Sequence, residues 1–169
     1  MRGDLVEMAI DHEAATAFTC EAARLFAERE QAVRNDEEAD SIYRLMRLLI
    51  PIAKLKTARM AIDTASYAME IQGGNGYVDD FVTNRLLRDA QVLPIWEGTE
   101  NILALDVLRA LERENAHEPF MEVMQERLDS IDHPVLEEHA NIVEEEYQQL
   151  TMAFGELATA DGDYAQLQA

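Results

Sequence analysis

Residues 95 to 102 read IWEGTENI and set one carboxylate, Glu97, between a large aromatic and a glycine, just ahead of a helical apolar pattern. Trp96 is the only tryptophan in 169 residues, whereas Glu97 is one of 34 acids. Ile95 and Trp96 can exclude water from the carboxyl, which raises its pKa toward the range of a general base, and Gly98 lets a ligand approach the main chain. A plainer reading also fits. Acids are common in first helical turns, where the N-terminal N–H groups favour negative charge, and Glu97 can simply begin the helix that follows.

Other reactive residues carry less. His12, His117, His133 and His139 form no spaced metal motif, and the EEH at 137–139 spreads its side chains around a helix, so no metal site is expected. His12, on an apolar helical face, reads as a core residue. GGNG at 73–76 is neither a strand-led dinucleotide fingerprint nor a P-loop, and by itself it reads as a helix C-cap. There is no GxSxG element and no cysteine beside a base. Cys20, the single cysteine, lies in a periodic helical stretch where a buried small hydrophobe is expected, and VEEEY at 143–147 reads as a solvated helix face.

These residues need helices to position them. Leu5, Met8, His12, Ala15, Phe18, Ala22 and Leu25 recur every three or four positions, predicting a helix over 4–34. A second is expected over 41–72, capped by Asp40 or Ser41, with Pro51 kinking it or delaying its start. GGNG should end it and open a loop to about residue 80, before a short helix over 81–91. Pro94 breaks the chain, and a helix over 100–113, capped by Thr99, carries Ile102, Leu105, Leu108 and Leu111 on one face. Further helices are expected over 118–130 and 134–155, the second with Pro134 in its first turn, followed by a frayed tail. No stretch alternates with period two, so the fold class is all-α: an antiparallel helical bundle over 1–113 and a helical extension over 114–169 packed on it.

Composition narrows the function classes. Against 34 acids stand 14 basic residues, of which only Lys54 and Lys56 are lysines, giving a net charge of −20. Such a surface repels phosphate backbones and anionic membranes, so no nucleic-acid or membrane partner is expected. The acids are spread along the whole chain, which reads as adaptation to high salt rather than as a face for one basic partner. A lone cysteine, no signal-like N-terminus and no apolar run of about 20 residues predict a soluble cytoplasmic protein.

Taken together, EIQGGNGYVDDFVTNRLLRDAQVLPIWEGTENI resembles the acyl-CoA dehydrogenase family in its C-terminal helical domain: a Gly-Gly-x-Gly-aromatic loop, an RDA on the next short helix, and an aromatic-Glu-Gly-Thr element at family-like separations. IWEGTENILALDVLRAL is closer to the AidB-like branch than to the fatty-acid enzymes. The resemblance implies an FAD enzyme in which Glu97 removes the α-proton of an acyl-CoA thioester while the β-hydrogen leaves as hydride to the flavin. It assigns stabilisation of the enolate-like oxygen to the Glu97 main-chain N–H and a flavin ribityl hydroxyl, with Gly98 keeping that approach open. Thr99 and Asn101 would hydrogen-bond the flavin, Trp96 would wall its pocket, and Gly73 and Gly74 would admit the FAD pyrophosphate across a subunit interface.

Two departures from the family pattern stand out. Glu70 occupies the position where relatives carry a flavin-binding glutamine, and Gln72 could replace it only with a change of register. The family's N-terminal helical domain, its β domain and the opening helix of its bundle have no counterpart here. The expected partners are therefore an acyl-CoA substrate, an electron-transfer acceptor, and either further copies in a dimer or tetramer or a separate N-terminal dehydrogenase part. The alternative is a non-catalytic helical oligomerisation module or truncated relic of such an enzyme.

Overall fold

The computed structural model describes the backbone of residues 1–159 and the side chains of residues 1–155. Seven helices and no strand occur among the described residues: α1 (Arg2–Arg34), α2 (Asp40–Gln72), α3 (Gly74–Tyr77), α4 (Thr83–Ala90), α5 (Glu100–Glu114), α6 (His117–Asp129) and α7 (Glu137–Thr159). The chain divides into two compact units, Met1–His117 and Glu118–Ala169.

In the first unit α2 is the central element. α1 folds back along it through the turn at 35–39, and α4 and α5 pack on it farther along. Leu25 and Ala32 of α1, Leu45, Leu48, Ala53, Ala58 and Ile62 of α2, and Leu103 and Ala110 of α5 form the core. The many alanines let the helix backbones approach closely. Pro51 neither delays nor ends α2, which runs unbroken through it. An interior proline costs roughly 3 kcal/mol, and burial of α2 against its neighbours, Pro51 included, offsets that. Neither Ser41 nor Asp40 caps α2; the N-cap position falls on Ala39, whose methyl group cannot accept a hydrogen bond.

The expected buried faces of α1 and α5 are only partly buried, because each helix packs on α2 along a narrow stripe. On α1 that stripe is centred on Leu25 and Ala32, leaving His12, Cys20 and Leu5 exposed. On α5 the buried seam is Leu103 and Ala110, one residue along from Ile102, which is exposed. The cause of that shift is polar: Asp106 faces α2 to meet Arg47, whose guanidinium reaches its two carboxylate oxygens at 2.9 and 3.0 Å and Glu114 at 3.2 Å. Arg47 holds the Asp106 carboxyl below the usual aspartate range through this hydrogen bonding.

GGNG does end α2, but the chain at once makes the single turn α3 rather than an open loop. In the second unit, Tyr147 Oη of α7 donates to the Met121 carbonyl of α6 at 3.0 Å. Pro134 lies ahead of α7 rather than in its first turn, and α7 extends past 155 to Thr159. The rest of the expected frayed tail falls outside the described residues.

Candidate functional site

Glu97 ends a run of tight turns after α4, in which Leu93 N–H donates to Ala90 and both Ile95 and Trp96 N–H donate to Val92. Among the described residues the Glu97 N–H has no backbone acceptor. Its φ is +57°, the left-handed region that a side chain adopts only at a cost, and Gly98 follows at +114°. Two successive positive φ values reverse the chain sharply into α5, and only glycine takes the second readily. Thr99 stands at the α5 N-cap position with extended backbone, but its side chain makes no cap hydrogen bond.

From α2, the Lys54 ammonium donates to the Gly98 carbonyl at 2.6 Å. Beside this contact is a cleft of about 400 Å³ whose lining includes Glu97, Lys54, Arg47, Asp106, Tyr43 and Phe26. Arg29 lies over the Tyr43 ring, 5.5 Å from its centre. Glu97, a half-buried lysine, the Arg47–Asp106 pair and apolar walls thus share one mouth, and Asp106 is committed to Arg47, so Glu97 is the acid placed to accept a proton beside a mostly apolar ligand.

Among the described residues, Ile95 and Trp96 do not form the expected shield around Glu97. Ile95 and Trp96 are 63% and 67% exposed, and Glu97 is exposed as well. The turns that carry these side chains satisfy their backbone groups locally and leave the apolar groups outside. Asn101 is also exposed.

The glycines divide by role. Gly73 has a φ of +59° and an added Cβ at Gly73 or Gly74 would meet nothing within 4 Å, so the backbone there is open. Gly76 is different. A Cβ there would fall 2.8 Å from Met69 Cα and nearer still to the Met69 carbonyl oxygen, so this glycine seats α3 against α2. Thr83, buried, donates to the Gly76 carbonyl at 3.2 Å and lies 3.4 Å from Gln72 Oε1, turning that glutamine toward α4. In the RDA element Arg88 lies 3.6 Å from Asp79 and Ala90 is buried. Gly73 and Gly74 are not brought to Glu97: with Gly98 pinned beside Lys54 and Gly73 at the end of α2, about 28 Å of helix axis separates the two.

Lys54 and Gly76 were not singled out from sequence as site or packing residues. The lysine's scarcity was the one signal available for it.

Comparison with known proteins adds the family. The sequence model described as "Acyl-CoA dehydrogenase, C-terminal domain" matches residues 1–112. The chain belongs to the acyl-CoA dehydrogenase family. It is 43% identical over 105 residues to "Acyl-CoA dehydrogenase family member 11" of Caenorhabditis elegans, covering 62% of this chain and 16% of that protein. To AidB of Escherichia coli (strain K12) it is 36% identical over 115 residues, covering 68% of this chain and 20% of AidB. The solved structure of Bd2924 in its apo form superposes with a TM-score of 0.67 at 34% identity, covering 82% of this chain and 29% of Bd2924. The chain thus spans a fifth or less of the length of the two curated relatives. No helix among the described residues is long and apolar enough to cross a membrane.

Proposed function

We propose that this chain supplies the C-terminal helical part of a flavin-dependent acyl-CoA dehydrogenase, with the Glu97 carboxylate as the base that takes the α-proton of an acyl-CoA thioester. The observation that carries this reading is Glu97 held at positive φ on the rim of a largely apolar cleft, with its own N–H lacking a backbone acceptor. A thioester carbonyl oxygen seated at that N–H would gain a donor as negative charge develops on it, while the neighbouring carboxylate receives the proton.

Residues of this chain suit FAD. The backbone at Gly73 and Gly74 is open to a phosphate, the Thr99 hydroxyl is not committed to a cap, and Asn101 and Trp96 face outward. FAD, when bound, would supply a hydride acceptor for the β-hydrogen of the substrate, and an electron-transfer partner would reoxidise it. The separation of roughly 28 Å along α2 between the glycine loop and the Lys54 contact suits a dinucleotide site completed by a second subunit, whose Gly73 and Gly74 would reach this subunit's cofactor.

Exposed apolar groups along 77–96 point the same way. Tyr77 is 78% exposed, and Val82, Ile95 and Trp96 are all more than half exposed, a surface that fits burial against another copy or an N-terminal dehydrogenase part. That partner would also supply the water exclusion that Ile95 and Trp96 do not provide alone. The exposure of Glu97 favours a second reading, a helical oligomerisation module without chemistry.

Glu97→Gln in the complete assembly separates the two readings, because glutamine keeps the shape and reach of the side chain but accepts no proton. Acyl-CoA-dependent flavin bleaching should fall by about 10²–10⁴-fold while flavin and acyl-CoA still bind. Near-normal bleaching rates in this variant would remove Glu97 from the chemistry.

A further inference from the structure

We infer that Lys54 is the positioning residue of the Glu97 turn: its ammonium holds the Gly98 carbonyl and so fixes the direction in which Glu97 presents its carboxylate to the cleft. The catalytic consequence rests on the function proposed above, whereas the hold on the turn stands apart from it.

Lysine is scarce in this chain, with two among 14 basic residues, and one of the two is half-buried on the face of α2 that meets the 98–114 segment. Arg47, two turns earlier on the same face, is committed to Asp106 and Glu114. Arg59 reaches Glu100 at 2.7 Å. These arginines therefore meet carboxylates of α5, whereas Lys54 meets a backbone oxygen, at 2.6 Å.

That oxygen is well placed to control the turn. Gly98 precedes the N-cap residue, so its carbonyl lies outside the α5 ladder, whose first bond here runs from Leu103 N–H to the Thr99 carbonyl. The two residues at positive φ, Glu97 and Gly98, lie immediately before it, and glycine's wide conformational range would otherwise let the 97–98 pair swing. A charge-assisted bond from a rigid helix removes that freedom, and it does so without touching the carboxylate itself. The Lys54 stem also lines the cleft, so the cation holding the base is part of the wall along which a ligand would lie.

Lys54→Met removes the donor while filling similar volume, and Lys54→Arg restores a donor of different shape. In the full chain, far-UV circular dichroism reports the helices, the carbonyl ¹³C resonance of Gly98 reports the hydrogen bond directly, and the fluorescence anisotropy of Trp96, the sole tryptophan, reports motion of the turn. Lys54→Met should keep the helicity, move the Gly98 resonance and lower the anisotropy, and Lys54→Arg should restore both in part. Should Lys54→Met lose helicity, Lys54→Leu, which also lacks a donor, carries the same readouts. An unchanged Gly98 resonance and an unchanged Trp96 anisotropy would overturn the hold on the turn.

In the assembled enzyme, Lys54→Met should lower kcat by roughly ten- to hundredfold with little change in KM for acyl-CoA, as misaligning a base does, and Lys54→Arg should recover part of it. If Glu97→Gln abolishes bleaching while Lys54→Met retains full kcat, the positioning role is overturned and the Glu97 reading stands. If Glu97→Gln bleaches normally, the Glu97 reading falls and the resonance and anisotropy alone decide for or against Lys54.

Discussion

Arg47→Met should destabilise the first unit by about 2 kcal/mol. Three charge-assisted contacts are lost, two to Asp106 at 2.9 and 3.0 Å and one to Glu114 at 3.2 Å. Hydrogen bonds to charged groups contribute about 1.5–3 kcal/mol when buried and exposed ion pairs about 0.2–1 kcal/mol. All three side chains retain roughly 30% of their surface, which places the set between those limits. Methionine preserves most of the apolar stem, so the loss isolates the charge. About 2 kcal/mol in a domain of this size lowers Tm by roughly 8–10 °C.

The pH dependence of that gap has a definite sign. Arg47 depresses the folded Asp106 value, so the stabilisation is fully present above the unfolded aspartate pKa of about 3.9 and is lost as pH falls through the folded value. Thermal melts followed by far-UV circular dichroism should therefore show the full difference between wild type and Arg47→Met at about pH 7 and a smaller one below about pH 4. A gap under about 2 °C at neutral pH, or one that persists undiminished in acid, would show that packing rather than this ion pair sets the α2–α5 seam.

Three further outcomes follow from the same structure. With a net charge of −20, the wild-type Tm should rise by several degrees between about 0.1 and 2 M KCl as screening relieves repulsion, and a flat profile would point to acids gathered in a binding face. Gly76→Ala should cost about 1–3 kcal/mol, because the new methyl group meets the Met69 backbone, which cannot yield as a side-chain tip can; an unchanged melt would mean that α3 lifts away freely. Glu97→Gly should raise stability by about 0.5–1 kcal/mol, relieving a left-handed residue less glycine's greater unfolded freedom, and a lower Tm would show that the Glu97 side chain itself supports the turn.

The helices were legible because their punctuation is chemical: glycine after Gln72, proline at 94 and the charged turn after Arg34 end or separate elements whatever the rest of the chain does. Which face of each helix is buried was less legible. Ile102, Leu105, Leu108 and Leu111 form a row every three residues, but the buried seam is Leu103 and Ala110, and Asp106 on that same face meets Arg47 from a distant part of the sequence. The site divides similarly. Glu97, Gly98 and Thr99 announced themselves by local order, but Lys54 meets Gly98 across 44 positions, a separation that no local pattern encodes. The exposure of Trp96 was misjudged because an aromatic neighbour in sequence is not a neighbour in space when the backbone between them turns at positive φ.

The cations along α2 have a consequence for how this chain can vary. Arg44 to the Asn115 carbonyl, Arg47 to Asp106 and Glu114, Lys54 to Gly98 and Arg59 to Glu100 join one helix to the segment that bears the candidate base. A protein that gains acids and sheds bases can exchange an exposed arginine such as Arg85 or Arg88 at little structural cost, but the half-buried Arg44, Arg47 and Lys54 are joints. Tolerance to charge reversal should therefore be uneven along the sequence. A deep mutational scan would find Arg44, Arg47 and Lys54 of α2 intolerant where the basic positions of α4 are permissive, so that these positive charges in an acidic chain trace its load paths.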